Sequence, residues 1–181
     1  GSVRSEAKAE VLAHAAAEAG VEVEVVLLDV NDPERGAEVV EALDLWGLVN
    51  NAGYAVTGAV EDVGEAEARA LFDTMVFSPM RLARLALPAM RARGEGRIVN
   101  VSSIAGRVSS PFGGWYAGAK HAIEALSDAL RVEVAGDGVH VALIEPGGFK
   151  TNIWDDLRRD IAHYEDVGSR HLGALELFGQ V

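Results

Sequence analysis

The sequence predicts an α/β domain with a parallel sheet and helices on both faces. Three observations predict it. Helix-type and strand-type patterns alternate along the whole chain, as expected of βα units rather than segregated elements. One strand candidate runs straight into the turn composition Asn50-Asn51-Ala52-Gly53, at the strand end where open α/β sheets bind ligands. And 181 residues with 49% hydrophobic and 24% charged side chains suit one ordinary globular core. Taken in order, Glu6 to Ala19 is Ala/Glu-rich and reads as a helix. Val23 to Val30 (VEVVLLDV) is a β-branched run and reads as a strand. Asn31-Asp32-Pro33 opens the next helix, because proline pre-sets φ at a first helical position. Leu45 to Val49 is a short buried strand. A long helix from about Glu65 to Arg93 follows, bent by Pro79 and Pro88 and ended by Gly94 and Gly96. Arg97 to Ser102 is a strand, Gly114 to Ala135 a helix, and Val139 to Ile144 a strand closed by Pro146-Gly147.

Bulk properties narrow the function. A net charge of -12 with no compensating Lys/Arg cluster repels phosphate backbones and anionic headgroups, so neither nucleic acid nor a membrane surface is an expected partner. There is no cysteine, which removes disulfides, thiol nucleophiles and thiolate metal sites. His14, His121, His140, His163 and His171 are scattered, with no i, i+4 pair, so no bound metal is expected. No signal-peptide pattern opens the sequence, and Arg81, Arg84 and Pro88 interrupt the longest apolar helix candidate. A cytoplasmic location is expected.

The chemistry-bearing motif is Tyr116-Ala117-Gly118-Ala119-Lys120. Four residues along a helix put a phenol and an ammonium on one face. Free tyrosine titrates near ~10 and lysine near ~10.4, so a nearby lysine cation favours the phenolate and is expected to lower the Tyr116 pKa toward working pH. A carbonyl that receives hydride needs the proton such a group supplies. Ser103, in Asn100-Val101-Ser102-Ser103-Ile104-Ala105-Gly106, lies thirteen positions before Tyr116, just past a strand end. Its hydroxyl is placed to bind a substrate oxygen as charge develops there, while Ser102 is read as a strand terminator.

The order NNAG, a serine thirteen before Y-x-x-x-K, and then P-G-x-x-x-T resembles the short-chain dehydrogenase/reductase family over nearly the whole chain. The resemblance implies a Rossmann-like, doubly wound sheet and an NAD(P)-dependent enzyme acting on a small alcohol or carbonyl. It also implies a homodimer or homotetramer built through the two long helices. Ser103, Tyr116 and Lys120 match the family's catalytic triad, with Lys120 also expected to hold the nicotinamide ribose. Asp29 and Val30 match the pair that approaches the adenine. Asn51, Ala52 and Gly53 match the turn that shapes the cofactor cleft. Pro146, Gly147 and Thr151 match the segment at the nicotinamide end.

Two departures from the family stand out. Many members carry an asparagine in the central helix, in a pattern like F-D-x-N-V-x-G, and here Phe72-Asp73-Thr74-Met75-Val76-Phe77-Ser78 puts Met75 in that place. A thioether cannot donate a hydrogen bond, so either a backbone carbonyl or an extra water completes a relay to Lys120, or catalysis is slow. Second, the family begins with a strand and a glycine-rich turn that cradles pyrophosphate at a helix N-terminus, and no such turn precedes Asp29. Gly1 to Arg4 resembles the end of the second strand instead. The sequence is therefore expected to be one truncated Rossmann-like domain, 1–181, lacking the first strand with its loop and the last strand of a longer natural chain. A molecule truly without that loop would bind dinucleotide poorly.

Arg4, directly after that strand, is suited to pair with a 2′-phosphate, which tilts the expected cofactor to NADP, with NAD possible; a solvated arginine is the alternative. Residues 152–181 are expected to cover the substrate, with Trp154, Tyr164 and Phe178 lining an apolar pocket or else serving ordinary packing. Tyr54, Val56 and Phe112 are expected on the opposite rim, which suggests a hydrophobic carbonyl or secondary alcohol. The competing readings are a non-catalytic nucleotide-sensing or scaffold protein of the same fold, with Met75 as a sign of decay, and an isomerase or epimerase that uses bound cofactor transiently.

Overall fold

The computed structural model describes residues 1–148, 164 and 168–178. Its strands form two parallel sheets. In the first, β1 (Ser2–Val3) pairs with β2 (Val26–Leu27), Ser2 opposite Val26. The crossover between them is α1 (Glu6–Glu18), whose N-cap Ser5 accepts from the Lys8 amide. In the second sheet, of order β3-β4-β5, β3 (Gly47–Asn50), β4 (Gly96–Val101) and β5 (Val139–Ile144) run parallel, with Leu48, Ile98 and Val141 in register. Between the sheets in sequence lies α2 (Pro33–Leu43), started as expected by Asp32, whose side chain accepts from the Arg35 amide at 2.9 Å.

The central helix is two helices joined by a π turn. The α3 helix (Glu65–Phe72) passes into a π-helical turn at Asp73–Phe77 and then into α4 (Ser78–Arg93). The break thus comes ahead of Pro79, which sits in the first turn of α4, where its missing N–H leaves no bond unmade. Pro88 lies inside α4. Gly94 takes a left-handed φ of 73° to end it. Gly96 is not a terminator; it is the first residue of β4, and a Cβ there would come within 2.6 Å of Met90 Cγ. The remaining α-helices among the described residues are α5 (Gly114–Glu133) and α6 (Leu172–Phe178).

Leu82, Ala83, Ala86, Leu87 and Met90 make a helical stripe along α4 that packs on Ile98, Val139 and Val141 of the sheet. Met90 and Ile98 are fully buried, each worth roughly 1.5–3 kcal/mol of burial. A second core gathers Val56, Leu71, Met75, Ala119, Tyr164 and Leu175 near the C-terminal ends of the strands.

The expected Val23 to Val30 strand is reduced to Val26–Leu27. The reason is pairing: β2 has one neighbour, two residues long, bonded through Val26 N to Gly1 O and Leu28 N to Val3 O, both 2.9 Å. On its other side a cavity of about 490 Å³, lined by Val26, Leu28, Leu48, Val49 and Leu82, separates it from β3. Polar contacts bridge the gap at one end. The Arg81 guanidinium donates to Val30 O at 2.7 Å, Ser78 Oγ to Asn31 Oδ1 at 3.0 Å, and Asn31 Nδ2 to Thr74 Oγ1 at 2.9 Å.

Candidate active site

The site forms where β4 ends and α5 begins. Ser103 has extended backbone, and its hydroxyl accepts from the Ala105 amide at 3.2 Å, starting a 3-10 turn at Ile104–Gly106. That turn brings the chain back toward α5, whose first turn carries Tyr116 and whose second carries Lys120. Lys120 is 7% exposed, and its ammonium donates to Val101 O at 2.8 Å. Ser103, Tyr116 and Lys120 line one cavity of about 510 Å³. Phe112, on the same wall, holds a φ of 64°, a left-handed conformation costly for a bulky side chain. Its carbonyl accepts from Gly58 N at 2.8 Å, which fastens the opposite rim.

The electrostatics correct one expectation. Tyr116 is held above its ordinary pKa, because burial penalises the phenolate more than a hydrogen bond with Ser103 favours it. Lys120 Nζ lies over the Tyr116 ring, 5.6 Å from its centroid. Burial also brings Lys120 down to about 8, against the opposing charge of Glu124.

Asn51, Gly53, Pro146 and Gly147 line this cavity with the triad, as do Tyr54, Val56 and Phe112. Val30 and Ala52 line the neighbouring cavity between the sheets, and Asn51 borders both. Asp29 and Arg4 are exposed and line neither. Asp29 accepts from the Asn31 amide at 2.9 Å, which shapes the turn after β2. Thr151, Trp154 and the Phe178 side chain lie outside the described residues. Tyr164 takes the packing alternative: it is 2% exposed, in the second core against Gly58 rather than in the cavity wall. Met75, in the π turn, is 3% exposed and packs on Gly53, so an apolar side chain closes the floor of the cavity.

Sequence reasoning passed over two polar groups, Asn100 and Glu124. Asn100 is 1% exposed, accepting from Asn50 Nδ2 and donating to Ser127 Oγ, both at 2.8 Å. Ser102, read as a strand terminator, directly follows β4 and is buried. Glu124, also buried, comes one helical turn after Lys120, and that spacing was the signal available for it. No helix among the described residues is long and apolar enough to cross a membrane.

Residues 2–162 match the family model described as short chain dehydrogenase. YbbO of Escherichia coli (strain K12), described as an uncharacterized oxidoreductase, is 41% identical over 140 residues, covering 74% of this chain and 52% of its own. A short-chain dehydrogenase structure from Streptomyces avermitilis superposes with a TM-score of 0.77 at 41% identity, covering 84% of this chain and 57% of that one. A gluconate 5-dehydrogenase from Burkholderia cenocepacia J2315, solved with NADP and tartrate, gives 0.79 at 25% identity, covering 89% and 65%. The chain spans about half the length of the curated relatives it matches.

Proposed function

The chain belongs to the short-chain dehydrogenase family, and from that premise we propose that it serves an oxidoreductase moving a hydride between NADP and a neutral, hydrophobic alcohol or carbonyl. The observation that carries the reading is the convergence of Ser103, Tyr116 and Lys120 on one cavity. Bound there, the dinucleotide supplies the hydride donor or acceptor. The protein's part is proton transfer and orientation: Tyr116 gives its hydroxyl proton to the substrate oxygen in reduction and takes it back in oxidation. Ser103 donates to the same oxygen. Lys120 spends one donor on Val101 O, and with three donors on an ammonium it keeps others for a ribose hydroxyl, which is the fit this pocket offers a nicotinamide nucleoside. Asn51 to Gly53 and Pro146-Gly147 would flank that nucleoside. Asp29 and Val30 would meet the adenine and Arg4 the 2′-phosphate, which favours NADP over NAD, as in the NADP-bound Burkholderia relative.

The substrate class follows from the wall. Val56, Met75, Ile104 and Phe112 are apolar, and Lys120 is the one formally charged residue among the described residues that line the cavity, which favours a largely apolar substrate held by a few polar groups. Residues 152–181 are proposed to cover it, and the assembly to be a cytoplasmic homodimer or homotetramer. Tyr116→Phe tests the reading: NADPH oxidation against a panel of apolar ketones should fall about 10²–10⁴-fold, with NADPH fluorescence titration unchanged. Met75 favours the second reading, a nucleotide-binding scaffold. Tight NADPH binding by the wild type without turnover on any of the panel would select that reading and overturn the first.

A further inference from the structure

Glu124 has no part in the chemistry above, yet it shares a face of α5 with Tyr116 and Lys120, at successive intervals of four residues. It is 4% exposed, and neither of its carboxylate oxygens receives a hydrogen bond. Its ion pair is a single contact, 2.9 Å from Arg107 Nη2. Arg107 is engaged more fully elsewhere: the same nitrogen lies 2.8 Å from Glu145 Oε1, and Nε lies 3.1 Å from Oε2. One guanidinium between two carboxylates leaves a surplus negative charge, and the shielded member of the pair is Glu124.

The space around it is also polar. A Cβ on Gly106 would stand 2.8 Å from Ser102 Oγ and 2.9 Å from Glu124 Cγ. Ser102 Oγ is itself buried and unbonded. The Lys120 ammonium hangs from Val101 O, the residue before that serine. With Met75 in the central helix, the cavity floor offers the ammonium an apolar thioether rather than an amide.

We propose that Glu124 is a positioning residue: fixed by Arg107 behind the triad, its carboxylate is the counter-charge that keeps the Lys120 ammonium ionised. An ammonium held by a single carbonyl has lost most of its hydration, and burial alone drives it toward the neutral amine. Glu124 is the charged group that acts against that drive. The other groups facing this region act on Arg107 more than on Lys120. Glu145, at the end of β5, and Asp128, one turn further along α5, both draw on the guanidinium, and Tyr116 presents its ring to Lys120. The field of Glu124 at Lys120 is therefore only partly cancelled.

The chain has three lysines, Lys8, Lys120 and Lys150, so ¹³Cε-lysine NMR resolves Lys120 in a titration from about pH 6 to pH 11. Glu124→Gln should lower the Lys120 midpoint by about one pH unit, and Glu124→Asp should restore most of that loss. An unmoved midpoint in a folded Glu124→Gln protein overturns the proposal. Should that variant not fold, judged by near-ultraviolet circular dichroism, the wild type carries the test. The carboxyl carbon of Glu124 must then shift through the pH range in which Lys120 titrates, because loss of the ammonium charge changes the field at that carbon; a flat response there overturns the proposal equally. Only the use of a charged Lys120 to hold a ribose hydroxyl rests on the dehydrogenase reading. The titration uses neither cofactor nor substrate, so its failure is distinct from a failure of the Tyr116→Phe test.

Discussion

Lys120 joins stability to the proposed chemistry in one side chain. Its folded pKa of about 8 lies below the ordinary lysine value of 10.5, so between these values the unfolded state holds a proton that the folded state has released. Stability therefore rises with pH across that window, and the penalty present below it amounts to roughly 3 kcal/mol at about 1.4 kcal/mol per unit. Tyr54 and Tyr116 are shifted upward, so their contributions run the other way, but only as pH passes their ordinary value near ~10. Urea denaturation of the wild type and Lys120→Met at a series of pH values isolates the lysine. The wild type should gain on the variant by roughly that amount between the two midpoints. Asn100 gives a second test at this scale: Asn100→Ala leaves Asn50 and Ser127 without their buried partner, and should cost about 1–3 kcal/mol in the same assay. That Ser103, Tyr116 and Lys120 share one cavity was legible because their spacings are local, thirteen residues and four. Asn100 and Glu124 were not singled out, because their meaning depends on which groups the fold brings to them: Asn50 from another strand, Arg107 from a turn.

Elements with local punctuation came through best. The bounds of β5 agree residue for residue with the sequence reading, and α2 starts where Asp32 and Pro33 placed it. Asp32→Ala should cost about 1 kcal/mol, visible as a lower midpoint in thermal or urea unfolding. The π turn carried no such mark. It exists because Thr74 Oγ1 donates to Ala70 O at 3.0 Å while accepting from Asn31, and because Ser78 N reaches back five residues to Asp73 O. Asn31 lies 43 positions away from Thr74, so no window of sequence contains the cause. Extra helical residues of this kind rotate what precedes them by roughly 100°. Deleting one residue within 73–77 should consequently turn Ala68 and Leu71 out of the second core, and proteolysis of α3 should report it as faster cleavage. The β2 strand was overestimated for a related reason: composition signals a strand, but its length is set by its neighbour.

Across the whole molecule the two sheets are unequal. The partners of α1 are β1 and β2, and Ala16 is its one buried residue, whereas β3, β4 and β5 share a core with α4. What holds the smaller unit to the larger is the cluster of Asn31, Thr74, Ser78 and Arg81, together with Val30 packed on the core of α4 and the Arg35 guanidinium donating to Leu27 O at 3.3 Å. Hydrogen exchange should find the amides of Val26 and Leu28 opening well before that of Ile98, and Asn31→Ala should hasten the first two without touching the third. Such a molecule has a fault line. Warming would shed Asp29 and Val30, the proposed adenine side, in an early calorimetric step, while Tyr116, Lys120 and the floor beneath them stood until a later one. Heat would thus loosen the proposed adenine side before it reached the cavity that Ser103, Tyr116 and Lys120 line.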